Sequence, residues 1–116
     1  MRCTSVTIGV PVRDLDTACR WYESLLEREG PDLRPAPGIV EYEVGGCWLQ
    51  LFEGEAGAGG WVLRIGVPEL GAERRRLIAL GIAAGEVVEI EGVIAFCDLR
   101  DPDGNRLSLY TVPTPA

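Results

Sequence analysis

The chain has 116 residues, of which 47% are hydrophobic and 25% charged, as expected for one small globular domain. Its 18 acidic and 11 basic residues give a net charge of -7, which argues against nucleic-acid binding. The acidity mildly favours a cationic ligand or, more simply, maintains solubility. No apolar run approaches the roughly 20 residues that span a bilayer, and no signal-peptide pattern follows Met1. We therefore expect a cytoplasmic protein without membrane partners.

The chain contains four cysteines and no histidine. Cys3, Cys19, Cys47 and Cys97 have no CxxC spacing, and a reducing compartment disfavours disulfides, so we expect small, mostly buried thiols. Cys47 and Cys97 are candidate nucleophiles, but no imidazole is present to act as their base.

The first half predicts a strand at about 5–12, followed by a helix that starts near Asp14. Asp14 and Asp16 both suit the N-cap position. After a loop that holds Pro35 and Pro37, strands at 39–44 and 47–52 form a hairpin around Gly45-Gly46. The helix carries one apolar stripe, formed by Leu15, Ala18, Trp21, Tyr22, Leu25 and Leu26.

The second half repeats this order, since Val10-Pro11-Val12-Arg13-Asp14-Leu15 is echoed by Ile65-Gly66-Val67-Pro68-Glu69-Leu70. It predicts a strand at 61–67, a helix at 70–80 stopped by Gly81, and strands at 87–91, 93–99 and 106–112. We therefore expect one domain over 1–116, with a first module at about 4–53, a Gly-rich linker at 54–60 and a second module at about 61–112.

Two motifs extend this repeat: Trp21-Tyr22-Glu23-Ser24-Leu25-Leu26 after Val12-Arg13-Asp14-Leu15, and the closing Asp101-Pro102-Asp103-Gly104-Asn105. With the β-α-β-β-β order, they resemble the vicinal oxygen chelate superfamily of glyoxalases, bleomycin resistance proteins and extradiol dioxygenases. Glu27 stands where the family usually has glycine. The resemblance implies an α+β fold in which two βαβββ modules form a curled mixed sheet around a shared cavity, with the helices on the outer face.

The same resemblance places the family's four metal-ligand positions on Thr7, Gln50, Val62 and Ser108. These residues offer an amide, two hydroxyls and a hydrocarbon, so we expect no metal and no other cofactor. Glyoxalase, thiol-transferase and dioxygenase activities are then not expected, because they need the metal as a Lewis acid. The competing interpretation is a shifted strand that turns an acidic ligand inward: Glu41, Glu43 or Asp98.

Strand alternation predicts which other side chains share the cavity face, because residues two apart point the same way. The opposite faces of the strands are aliphatic, whereas this face mixes aromatic and polar groups, as an organic-ligand pocket does. Arg64 has two interpretations, a clamp for a ligand's carboxylate or phosphate and a partner for a local glutamate. The candidate ligand-binding residues are Thr7, Tyr42, Trp48, Gln50, Phe52, Val62, Arg64, Ser108 and Tyr110.

Three functional hypotheses follow. The first is a metal-independent protein of the bleomycin-resistance type that sequesters an aromatic or amphipathic small molecule, as a homodimer by family resemblance. The second is a metal-free isomerase, lyase or cyclase of the same fold that uses Glu41 or Tyr110. The third is a module that acts through protein contacts, with a closed cavity in which Trp48 packs on Phe52.

Overall fold

Within the described residues, period-two alternation and two amphipathic segments generate eight strands and two helices. The computed structural model describes residues 2–55 and 62–112. The predicted α+β fold is confirmed: two βαβββ modules each form a four-stranded mixed sheet with one helix. The elements are β1 (Thr7–Val12), α1 (Leu15–Leu26), β2 (Leu33–Ala36), β3 (Ile39–Val44), β4 (Cys47–Glu53), β5 (Leu63–Gly66), α2 (Leu70–Ala79), β6 (Val88–Ile90), β7 (Ile94–Arg100) and β8 (Arg106–Thr111).

The first sheet has the order β1-β4-β3-β2, with β1 parallel to β4 and the other neighbours antiparallel. Asp14 caps α1, because its carboxylate accepts a hydrogen bond from the backbone N–H of Thr17 at 3.1 Å. The predicted stripe faces the sheet and buries Ala18, Tyr22 and Leu25. This burial is the main source of stability for the helix.

Strand β2 occupies a segment for which the sequence predicts a loop. Pro35 lowers the strand signal because it has no N–H to donate to a sheet. The structure accommodates it at the edge of the sheet, where the register with β3 shifts between Leu33 and Ala36. The loop prediction was therefore wrong for 33–36.

Both helices end in the same backbone motif. In α2, Gly81 is left-handed with φ of +83°, while the N–H of Ile82 donates to the carbonyl of Leu77 and that of Gly81 to Ile78. In α1, Glu27 takes the left-handed position with φ of +56°, and the N–H of Arg28 donates to Glu23. A non-glycine residue is strained there, so the missing family glycine has a local conformational cost.

The second sheet repeats the first, with the order β5-β8-β7-β6 and β5 parallel to β8. Helix α2 buries Leu70 and Leu77. No side chain caps its N-terminus, where Glu69 makes no capping hydrogen bond. The predicted start of this module at Trp61 and most of the predicted linker, residues 56–60, lie outside the described residues.

The chain divides into two compact units, Met1–Gly59 with Pro102–Gly104, and Gly60–Asp101 with Asn105–Ala116. The turn 102–104 thus belongs to the first unit, in which the Asp103 carboxylate accepts a hydrogen bond from the backbone N–H of Arg13 at 3.0 Å. Asp101, in the second unit, accepts hydrogen bonds from both the backbone and the side-chain amide of Asn105 at 2.8 Å. Within 2–55 and 62–112, no helix is long and apolar enough to cross a membrane.

Candidate functional site: the polar faces of the two sheets

Cross-strand pairing assigns the strand residues of the first sheet to two faces. Tyr42 lies opposite Leu49 and Val40 opposite Leu51, and all four side chains are buried on the face covered by α1. The other side, which we call the first polar face, holds aromatic, acidic and amide side chains. Its residues are Thr7, Gly9, Ile39, Glu41, Glu43, Trp48, Gln50 and Phe52.

Tyr42, one of the predicted ligand-binding residues, lies on the face that α1 covers. Its hydroxyl donates a 2.6 Å hydrogen bond to Glu23 of α1, and the residue has no exposed surface. Burial and then the neighbouring side chains, Cys19 and Glu23, raise the pKa of the Tyr42 hydroxyl far above its ordinary value. Tyr42 therefore remains a proton donor within the core, on the opposite face of the sheet from Gln50.

Glu41 takes the position opposite Gln50. The Gln50 amide Nε2 donates a 2.8 Å hydrogen bond to Glu41 Oε2, and both side chains are half-buried. Glu43 lies opposite Trp48 on the same face. The acidic side chains of β3 thus do share the face of Gln50, as the competing interpretation of the sequence required.

The ring of Phe52 lies across two glycines of the first unit. A Cβ added to Gly9 would stand 3.2 Å from Phe52 Cε1, and one added to Gly54 would stand 3.3 Å from Cε2. Trp48 and Phe52, both half-buried, make no ring contact with each other within the described part of the chain. The closed stack expected for a module that acts only through protein contacts is therefore not present there. Thr7 is exposed on the edge strand, next to Trp48.

The second sheet repeats this division of faces with different side chains. Leu107 and Leu109 pair with Leu99 and Cys97, and all four are buried. The opposite side, the second polar face, carries most of the basic groups found on the strands. Its residues are Arg64, Gly66, Phe96, Asp98, Arg100, Arg106, Ser108 and Tyr110.

The strand pairing in the two sheets shows which residues occupy equivalent positions at the centres of the two polar faces. Arg64, Ser108 and Asp98 form one row across the second sheet, as Gly9, Gln50 and Glu41 do across the first. Ser108 is completely buried, and its Oγ has no hydrogen-bond partner among the described residues. The guanidinium groups of Arg64 and Arg106, both exposed, likewise form no hydrogen bond or ion pair with any described residue.

A depression of about 190 Å³ lies at one end of the second sheet. Arg106, Asp98 and Val62 contribute to its wall, with Arg100, Leu99 and Leu107. At the other end, the Tyr110 ring covers Gly66, because a Cβ there would stand 3.0 Å from both Cζ and the hydroxyl oxygen. Tyr110 itself is half-buried.

The four cysteines are all free, but their burial differs from the prediction. Cys97 is buried, Cys19 and Cys47 are half-buried, and Cys3 is exposed. Desolvation raises the pKa of the Cys19 and Cys97 thiols, which favours the protonated, unreactive form.

The residues at the family's metal positions do not fit a divalent cation. Thr7 and Gln50 lie in the first unit, and the Gln50 amide is engaged by Glu41. Val62 and Ser108 lie in the second unit and offer a hydrocarbon and a hydroxyl. Such cations prefer several carboxylate or imidazole ligands. Within residues 2–55 and 62–112, no group of three or more Cys, Asp or Glu side chains is arranged to hold a metal.

These observations define an α+β protein with the vicinal oxygen chelate fold, in which each helix-backed sheet presents a polar second face. No known family model and no curated protein matches the sequence. Solved structures do match. A glyoxalase/bleomycin resistance protein from Catenulispora acidiphila is similar at 26% identity and a TM-score of 0.79, over 94% of this chain and 98% of that one.

Two further structures support the fold. A lactoylglutathione lyase from Agrobacterium tumefaciens shows 18% identity and a TM-score of 0.78, over 95% of this chain and 94% of that one. A glyoxalase/bleomycin resistance protein/dioxygenase from Nocardioides shows 16% identity and a TM-score of 0.77, over 100% of this chain and 87% of that one. At these identities, the similarity establishes a common fold rather than a common activity.

Proposed function

We propose that this protein is a metal-independent binding protein of the glyoxalase/bleomycin-resistance type, which sequesters an aromatic or amphipathic small molecule. The observation that carries the proposal is the first polar face. Trp48 and Phe52 stand half-buried on either side of Gln50, whose amide is held in place by Glu41. Flat apolar groups around a fixed amide supply burial and orientation for a planar ligand.

The chemistry of the family's metal positions supports the metal-independent part of the proposal. An amide, two hydroxyls and an isopropyl group lack the charge that stabilises a bound divalent cation. Glu41, Glu43 and Asp98 lie on the same faces, but within 2–55 and 62–112 no three acidic or thiol groups are arranged to hold a metal. Binding by stacking and hydrogen bonding needs no such cation. The 26% identity to a glyoxalase/bleomycin resistance protein supports the type of fold on which the proposal is built.

One observation favours the second candidate, a metal-free isomerase, lyase or cyclase. The Glu41 carboxylate lies on the polar face, and Gln50 holds one of its oxygens at 2.8 Å. An oriented carboxylate beside a ligand can act as the general acid or base in a proton transfer. This candidate predicts turnover of a bound compound that Glu41→Gln abolishes while binding persists.

Native mass spectrometry and an NMR titration with indole test the proposal. We expect spectra of protein purified without chelator to show no stoichiometric divalent metal. Indole should shift the amide resonances of residues 48–52, because its ring stacks on Trp48 and Phe52. Trp48→Ala should abolish these shifts. The matched control, Trp21→Phe, should retain them because Trp21 packs on Tyr22 at the helix.

Two outcomes contradict the proposal. A stoichiometric metal that changes the resonances of 48–52 would return metal-dependent chemistry to first place. Identical indole shifts in the Trp48→Ala variant would place the aromatic site elsewhere.

A further inference from the structure

The second polar face carries a buried hydroxyl that no described residue satisfies. Ser108 has no exposed surface, and its Oγ lacks a hydrogen-bond partner. Most buried polar groups in proteins are paired, because an unpaired one forfeits its hydration without compensation. Ser108 also occupies the position equivalent to Gln50, which does have a partner. The unpaired Ser108 hydroxyl therefore indicates a hydrogen-bond partner from outside the described chain.

Two arginines adjoin this hydroxyl. Arg64 is the direct neighbour of Ser108 on β5, and Arg106 lies two residues away along β8 on the same face. Adjacent and diagonal positions on one sheet face are within reach of side chains as long as arginine. Because neither guanidinium is paired with a described residue, both are available to a ligand.

The other charged side chains on this face determine the local net charge around Ser108. Asp98 lies on the far side of Ser108 from Arg64, and Arg100 lies opposite Arg106. Arg64 and Arg106 therefore outnumber the one carboxylate that lies beside Ser108, so an anion is favoured in spite of the net negative charge of the chain. Local charges act at shorter range than the net charge, which salt screens.

We infer that Arg64, Ser108 and Arg106 form a site on the second polar face for an anionic oxygen group, a carboxylate or a phosphate. The inference goes beyond the proposed function, because it concerns the second unit alone. Arginine forms charge-assisted, often bidentate bonds with such groups, and the serine hydroxyl supplies a further donor. Of these three residues, Arg106 alone also contributes to the wall of the depression of about 190 Å³.

An NMR titration of the full chain with benzoate, phenyl phosphate and benzamide tests the inference. The three probes share a ring and differ in charge. We expect benzoate or phenyl phosphate to shift the amides of Arg64 and Ser108 and to bind more tightly than neutral benzamide. The stronger of the two anions identifies the group. Arg64→Gln and Arg106→Gln should each weaken the anion about threefold, the effect of one partly exposed ion pair.

Two variants separate binding from folding. Arg75→Gln removes the same charge from an exposed position on α2 and should leave the affinity unchanged. Ser108→Ala should weaken the anion while the folded protein becomes no less stable, a combination that a purely structural serine does not produce.

The outcomes distinguish this inference from the proposed function, which concerns the first polar face. Equal affinity for benzamide and both anions would overturn the anionic subsite and leave a binding protein for neutral rings. If Arg64→Gln and Arg75→Gln weaken anion binding equally, the effect comes from the overall charge of the protein. That outcome would also overturn the subsite. Failure of all three probes, together with failure of indole, would overturn both proposals.

Discussion

The two units of this chain share their topology and strand register but differ in the pairing of the central residue of each polar face and in the capping of each helix. In the first unit, Gln50 donates to Glu41, Tyr42 donates to Glu23, and Asp14 caps its helix. In the second unit, Ser108 has no described partner and Glu69 leaves its helix uncapped. The same backbone plan thus supports a hydrogen-bonded centre on one polar face and, among the described residues, an unpaired centre on the other.

The difference shows which part of the module specifies the fold. The helix-covered faces are buried and apolar in both units, apart from Tyr42 in the first. The polar faces have diverged: Glu41 and Glu43 on the first correspond in register to Asp98 and Arg100 on the second. Register depends on the buried face, since a one-residue slip would expose it. The opposite face is then free to change its chemistry.

The largest expected effect concerns the buried tyrosine of the first unit, whose register equivalent in the second is Leu99. Tyr42→Phe removes the donor to Glu23 and should lower the free energy of unfolding by about 2 kcal/mol, as for a hydrogen bond to a charged group. Urea denaturation followed by circular dichroism measures this. Leu99→Met, a volume-conserving change at the equivalent site, should cost less. An equal loss in both variants would mean that packing, not the hydrogen bond, accounts for the effect.

Alanine substitution at Ser108 and at Gln50 should change the free energy of unfolding in opposite directions. Ser108→Ala removes an unpaired buried hydroxyl and should stabilise the ligand-free protein by about 1 kcal/mol. Gln50→Ala breaks the bond to Glu41 and should destabilise it by about 0.5–1 kcal/mol. Thermal unfolding of the two variants makes the comparison. Destabilisation by Ser108→Ala would show that the hydroxyl is paired in solution.

At the C-terminal ends of the two helices, glycine can be introduced in α1 and removed from α2. Glu27→Gly places glycine at a left-handed position and should stabilise the protein by about 0.5–1 kcal/mol. Gly81→Ala imposes a Cβ at the equivalent position of α2 and should cost about 1 kcal/mol. Denaturation midpoints test both changes. A loss of stability in Glu27→Gly would indicate that the Glu27 side chain contributes more than its backbone strain costs.

The smallest expected effect is the pH dependence of the Asp14 cap. The backbone N–H of Thr17 holds the pKa of the Asp14 carboxyl below its ordinary value of 3.8, because the ionised form is the better acceptor. The contribution of the charge is therefore fully present above that value and is lost as the pH falls through the lowered folded pKa. Asp14→Asn, which keeps a capping oxygen, should be slightly less stable than the original chain at pH 6 and equally stable near pH 2. A difference that persists at pH 2 would assign the effect to side-chain geometry.

Most of the fold was predictable because period-two alternation determines which strand residues are buried. The helix at Asp14, the stop at Gly81 and the aliphatic faces follow from rules that act within a few residues. Strand β2 was missed since Pro35 lowers the strand signal, and only the position at the sheet edge makes the proline acceptable.

The candidate site was only partly predictable. In Ile39–Val44, the sequence IVEYEV sets Glu41 and Glu43 on one side and Val40 and Tyr42 on the other. This alternation was enough to exclude Tyr42 from the polar face. Its aromatic side chain nevertheless led to its prediction as a residue that lines the ligand pocket. The bond from Tyr42 to Glu23 joins strand and helix, and strand patterns do not encode such a contact. The missing partner of Ser108 is likewise visible only once its neighbours are placed.

The turn 102–104 affects how the chain can be split into fragments. Its residues come late in the chain but belong to the first unit, where Asp103 accepts the N–H of Arg13 just ahead of α1. A fragment that ends before residue 62 would therefore lose a native acceptor at the start of helix α1. The sequence repeat has two halves of similar length, but the two compact units of the molecule do not coincide with them. A split protein reassembled from those halves would have to recover this hydrogen bond between separate chains.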